Sequence, residues 1–104
     1  MTAAALFEAP LRPYLILMEA FLSGRLTADE FTSIYLQFFP CDPADWPDDM
    51  FAALQRVFSS SDSLCLDPVL RVKWAIDEEE LRREVATALD KLRKIMAAWK
   101  NPGE

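Results

Sequence analysis

Residues 77–99 read Asp77-Glu78-Glu79-Glu80-Leu81-Arg82-Arg83-Glu84-Val85-Ala86-Thr87-Ala88-Leu89-Asp90-Lys91-Leu92-Arg93-Lys94-Ile95-Met96-Ala97-Ala98-Trp99. Leu81, Val85, Ala88, Leu92, Ile95 and Trp99 recur at steps of four and three, which aligns them on one face of a helix. Asp77 stands at the N-cap with Glu80 three residues on, and Glu78 and Glu79 favour the positive end of the dipole. Lys91, Arg93, Lys94 and Lys100 populate the negative end before Pro102. Pattern, caps and charge order all specify a helix over 78–99.

The same logic extends towards the N-terminus. Thr27 and Glu30 form a capping-box pair, followed by Phe31, Ile34, Tyr35 and Phe38 as one apolar face, so a helix is expected over 28–39 with Pro40 as its stop. Leu11, Tyr14, Leu15, Met18, Phe21 and Leu22 form the stripe of a helix over 11–22. Pro13 suits its first turn, and Gly24 suits the left-handed residue that ends it. Cys41 to Trp46 is a loop rich in Pro and Asp. A third helix is expected over 47–60, with Asp48 and Asp49 at its positive end and Met50, Phe51, Leu54, Val57 and Phe58 as its stripe. Ser59, Ser60 and Ser61 weaken helical propensity at its end. From Asp62 to Ile76 runs a long connector, where Pro68 is placed to open a short helical turn.

Four amphipathic helices can each bury one face against the others. The expected fold is all-α, a compact antiparallel four-helix bundle forming a single domain over 1–104. The chain has 104 residues, with 52% hydrophobic and 27% charged residues, a composition that folds rather than stays disordered. Two glycines and one asparagine are too few for the tight turns of an all-β domain.

No histidine is present, which removes the commonest general base and metal ligand. The chain has no Gly-rich phosphate loop and no Cys-x-x-Cys pair. Two thiols, Cys41 and Cys65, fall short of a four-ligand zinc site. We therefore expect no enzyme, no catalytic residue, no metal and no cofactor. The N-terminus lacks a basic region leading into an apolar stretch, and its longest apolar run, Tyr14 to Met18, is too short for a membrane span. The expected location is the cytoplasm.

The net charge of −6 is unevenly spread. Residues 1–41 carry −2, residues 42–80 carry −7, and residues 81–104 carry +3. An acidic surface repels nucleic acid and anionic membrane and attracts basic partners. Asp77-Glu78-Glu79-Glu80 is the densest cluster, and capping or solvation of a helix start competes there with a binding role. Asp42, Asp45, Asp48 and Asp49 allow the same two readings, and their spacing lacks the glycine and terminal glutamate of a calcium-binding loop. Among the tryptophans, Trp99 is expected in the core, and Trp46 could anchor an interface. Trp74, in the connector with Arg71 and Lys73, is the better candidate for surface contact.

Leu22-Ser23-Gly24-Arg25-Leu26-Thr27-Ala28-Asp29-Glu30-Phe31 resembles the early segment of colicin-D-type immunity proteins. Phe51 to Phe58, Asp62, Leu66-Asp67-Pro68-Val69-Leu70-Arg71 and Ile76-Asp77-Glu78-Glu79-Glu80-Leu81-Arg82 resemble the later segments of the bacterial self-protective immunity family. The resemblance covers about residues 14–96. It implies a helical bundle that neutralises a toxin made by the same cell or its kin, in the best-known cases a nuclease that cleaves transfer RNA. It further implies that acidic side chains cover the toxin's active site in place of RNA phosphates. Asp62, Asp67, Asp77, Glu78 and Glu79 are then the expected toxin-facing residues, with Trp74 beside them. This chain has Ser59, Ser60 and Ser61 where relatives often carry acids, so the patch nearest helix three is diluted.

The expected partner is a cognate toxin nuclease domain, with no nucleic acid and no membrane as partner. The chain is expected to be a monomer, with a homodimer as the alternative. A second function class is a helical interaction module or regulatory subunit without a toxin partner. Such a module needs an exposed apolar face, for which Tyr14, Trp46 and Trp74 are the candidates.

Overall fold

The computed structural model describes residues 3–65, 67 and 75–100, with side chains over 7–65, 67 and 75–98. The expected short turn at Pro68 and the side chains of Trp74 and Trp99 lie outside these described residues. Among the described residues four α-helices run in order, α1 (Ala3–Leu22), α2 (Ala28–Phe38), α3 (Asp48–Asp62) and α4 (Glu78–Lys100). A 3₁₀ turn, Phe39–Cys41, extends α2 through Pro40. The fold is an all-α bundle.

The helices lie antiparallel to their neighbours. Arg82, near the start of α4, donates to the carbonyls of Phe21 and Leu22 at the end of α1, at 3.2 and 3.4 Å. Its guanidinium also lies 4.7 Å from the centre of the Phe21 ring. Further along, Arg93 of α4 pairs with Glu19 of α1. On the opposite side of α4, Arg56 of α3 bonds Glu84 at 2.7 Å. Phe21 stacks on Phe31 at 4.8 Å, and Tyr14 meets Tyr35 at 5.6 Å, so α1 and α2 form the expected hairpin.

Leu81, Val85, Ala88, Leu89, Leu92 and Met96 of α4 are buried, as are Leu11, Tyr14, Met18 and Phe21 of α1. Phe31 and Tyr35 of α2 and Met50, Leu54 and Val57 of α3 complete the centre. The expected stripe of α2 is wider than its buried face. Phe31 and Tyr35 are fully buried, but Ile34 and Phe38 remain exposed. At about 100° per residue, Ala28, Phe31, Thr32 and Tyr35 fall on one side of the wheel, and Ile34 and Phe38 fall on its rim. Phe51 of α3 is exposed for the same reason.

Two further expectations need correction. Helix α1 begins at Ala3, eight residues before the expected start, so Pro10 and Pro13 are internal rather than in a first turn. Each proline removes one backbone donor and disfavours helix around it. The turn before them is held by packing, because Phe7 lies 5.4 Å from Trp46. Helix α3 runs through all three serines to Asp62, although the buried Ser61 hydroxyl has no hydrogen-bond partner among the described residues. The Ser63 backbone N–H then closes the last turn on the carbonyls of Ser59 and Ser60.

Asp42 has a structural task that its loop context concealed. Its carboxylate accepts hydrogen bonds from the Tyr14 hydroxyl at 2.6 Å, the Trp46 indole N–H at 2.9 Å and the Ala44 backbone N–H at 2.9 Å. It thereby ties the 41–47 loop to α1. Partial desolvation pulls its pKa upward, but the bonds from Tyr14, Ala44 and Trp46 outweigh it and hold the carboxyl below its ordinary value. The Tyr14 hydroxyl is correspondingly pushed up, by burial first and by its bond to Asp42 second.

A depressed folded-state pKa contributes stability above the unfolded value, near pH 4, that is lost as pH falls through the folded value. Asp42→Asn is expected to lower stability at pH 7 by about 1–2 kcal/mol. The gap from wild type should narrow as pH is taken from 7 to 2, measured by urea denaturation.

Candidate functional site

The acids proposed from sequence meet at one end of the bundle because of two backbone hydrogen bonds. The Ile76 N–H donates to the Ser63 carbonyl, and the Cys65 N–H donates to the Ile76 carbonyl, both at 2.9 Å. This isolated parallel bridge between Leu64 and Ile76 sets the end of α3 beside the start of α4. Asp62, the last residue of α3, and Asp77, Glu78 and Glu79 therefore share that end. Asp67 is exposed, and its carbonyl accepts from the Cys65 thiol at 3.3 Å. Trp74, the sixth expected site residue, falls outside the described residues.

The antiparallel packing of α1 on α4 adds two acids that the sequence did not connect with this patch. The loop after Leu22 lies beside the start of α4, and α2 begins there with Asp29 and Glu30. Glu30 was legible as a capping residue. The Thr27 hydroxyl accepts from its N–H at 3.1 Å, and its own carboxylate accepts from the Thr27 N–H at 2.9 Å. Its bond to the Thr27 backbone, then that to the Thr27 side chain, holds its carboxyl below the usual value. Only the tertiary arrangement brings Asp29 and Glu30 to the same end as Asp77.

Several of these carboxylates also have local work. Asp77 accepts from the Glu80 backbone N–H at 2.8 Å, which is the N-cap geometry expected for it. Glu78 pairs with Arg82 and Glu79 with Arg83, each at 3.3 Å and one helical turn apart. The Glu79–Arg83 pair is exposed and holds little energy in water, whereas Arg82 is half-buried against the end of α1. Asp62 and Asp67 are exposed as well.

Away from this end, Trp46 is 8% exposed and bonded to Asp42, and Tyr14 is fully buried. Neither can anchor an interface, which corrects that expectation for both. Cys41 is exposed and Cys65 is half-buried. Among the described residues no group of His, Cys, Asp or Glu side chains is arranged to hold a metal ion. No described helix is long and apolar enough to cross a membrane.

The sequence matches the model of the bacterial self-protective colicin-like immunity family over residues 10–92, and the chain belongs to that family. Proteins of this family act as inhibitors rather than as enzymes. Comparison with curated proteins and with solved structures gives no match.

The division of labour among the acids can be measured on the isolated chain. Asp77→Ala should cost about 1 kcal/mol through the lost cap. Asp62→Ala should stay within about 0.5 kcal/mol of wild type, both by chemical denaturation.

Proposed function

We propose that this chain binds a bacterial toxin domain one to one and neutralises it by covering a basic active site with its acidic end. The family match over residues 10–92 carries this reading. The toxin class that fits best is a nuclease cleaving transfer RNA, as the resemblance to colicin-D-type immunity proteins implies. A cleft that binds a polyanion is lined with cations, and a plug bearing carboxylates exploits the same field. Inhibition by occlusion needs affinity and a rigid frame, not catalytic groups. The cytoplasm, where transfer RNA is found, is the place for such a complex.

The gathering of Asp62, Asp67, Asp77, Glu78 and Glu79 at the bridge between Leu64 and Ile76 supports the electrostatic part of the proposal. Glu79 can trade its exposed arginine partner for a cation of the toxin at small cost. Long-range attraction of this kind acts mainly on the rate of encounter.

Replacing Asp62, Asp67 and Glu78 together by lysine should slow association with the toxin domain by about tenfold or more at low salt. The difference should shrink as the Debye length falls below about 8 Å. Stopped-flow mixing over a salt series measures both. An unchanged low-salt rate in the folded triple variant would remove the acidic end from the docking step.

A further inference from the structure

We propose that the outward face of α2, centred on Ile34 and Phe38, is the part of the toxin-facing surface that holds the complex together once it forms. This rests on the immunity reading and assigns a second, apolar element to it.

Ile34 and Phe38 are 41% and 37% exposed, although both belong to the apolar run of α2. Phe38 lines a shallow hollow with Ile34, Cys41 and Pro43. Ile34 also lines an adjoining hollow with Asp29 and Glu30. The two hollows share Ile34, so they form one strip along α2. The strip starts at the acidic end of the bundle and becomes apolar towards the 3₁₀ turn. An apolar centre flanked by polar residues is the general anatomy of a protein–protein contact.

Phe38 is also held in place before any partner arrives. Its ring meets Tyr14 edge-on at 5.0 Å and 75°, and Tyr14 is itself fixed by Asp42. A rigid aromatic loses little freedom on binding and suits the role of an anchor.

Charge selects the occupant. From Leu26 to Gln55 the chain contains Asp29, Glu30, Asp42, Asp45, Asp48 and Asp49 and no lysine or arginine. No cation lines either hollow. At the start of α4, by contrast, Arg82 and Arg83 offset Glu78 and Glu79. A second copy of this chain docking through the same face would set acids against acids, because a two-fold contact repeats one surface on both sides. The fitting partner is a basic protein surface with an apolar side chain projecting among its lysines and arginines.

The test uses the full chain and the toxin nuclease domain that it is proposed to neutralise. Ile34→Gln combined with Phe38→Gln should leave the association rate within about threefold of wild type and speed dissociation by about 100-fold. Ile16→Gln, at a side chain that is 58% exposed and lines neither hollow, should change neither rate. Should the double variant lose helical signal, Ile34→Gln alone should speed dissociation by about tenfold. Hydrogen exchange on the wild-type complex should then show protection of amides in 28–41.

A folded double variant that dissociates as slowly as wild type, or unprotected amides in 28–41, overturns the proposal and leaves the immunity reading intact. A wild-type dimer in sedimentation that the double variant abolishes overturns it in favour of a second copy. A wild-type chain that does not bind the toxin domain at all overturns the immunity reading first.

Discussion

The apolar face of α4 is the surface on which the rest of the bundle depends. Leu81, Val85, Ala88 and Leu92 are buried between α1 and α3, both of which run antiparallel to α4. Hydrophobic burial is without direction, so the polar contacts along the edges of α4 fix how the helices align. Arg82 holds the end of α1, Arg93 pairs with Glu19, and Glu84 pairs with Arg56 of α3. Once α4 is set, the start of α2 and the end of α3 are brought to its N-terminal end. The acidic character of that end follows from topology as much as from sequence.

A second constraint acts at the opposite side of the molecule. Asp42 gathers Tyr14, Ala44 and Trp46 around one carboxylate and closes the loop between α2 and α3. Tyr14 then supports Phe38 from beneath. The apolar part of the α2 face is rigid because a buried ring stands behind it, and that ring is oriented by a charged acceptor. In the proposed complex, stability and recognition are thus coupled through Tyr14.

Much of the fold was legible because several independent signals agree on the same elements. The start of α4 is marked by Asp77 and the start of α2 by Thr27 and Glu30, each by a local hydrogen bond that the sequence spacing specifies. The start of α1 was not legible, since Pro13 suits a first turn and so argues for a helix beginning near Leu11. Only the contact of Phe7 with Trp46, 39 positions along the chain, explains why the helix extends further. Trp46 and Asp42 were misread for the same reason. A Pro- and Asp-rich segment looks like a solvated loop until Tyr14 is placed beside it. The exposure of Ile34 and Phe38 was hidden as well, because periodicity gives the direction of an apolar face but not the width its neighbours cover. For the candidate site, the sequence named Asp62 and Asp77 to Glu79, whereas Asp29 and Glu30 join them only through the packing of α1 against α4.

In the proposed complex, the charged end and the apolar strip supply complementary parts of one interaction. Exposed carboxylates would speed encounter with a basic partner, and a preorganised apolar anchor would slow its release. On that proposal, neutralising a toxin asks of the bundle affinity rather than catalysis. The most direct measurement is growth of cells that express a colicin-type toxin nuclease domain, the proposed target, with and without this chain. Immunity predicts normal growth when the folded chain is present and arrest when it is absent. Arrest at full levels of folded chain would contradict the account.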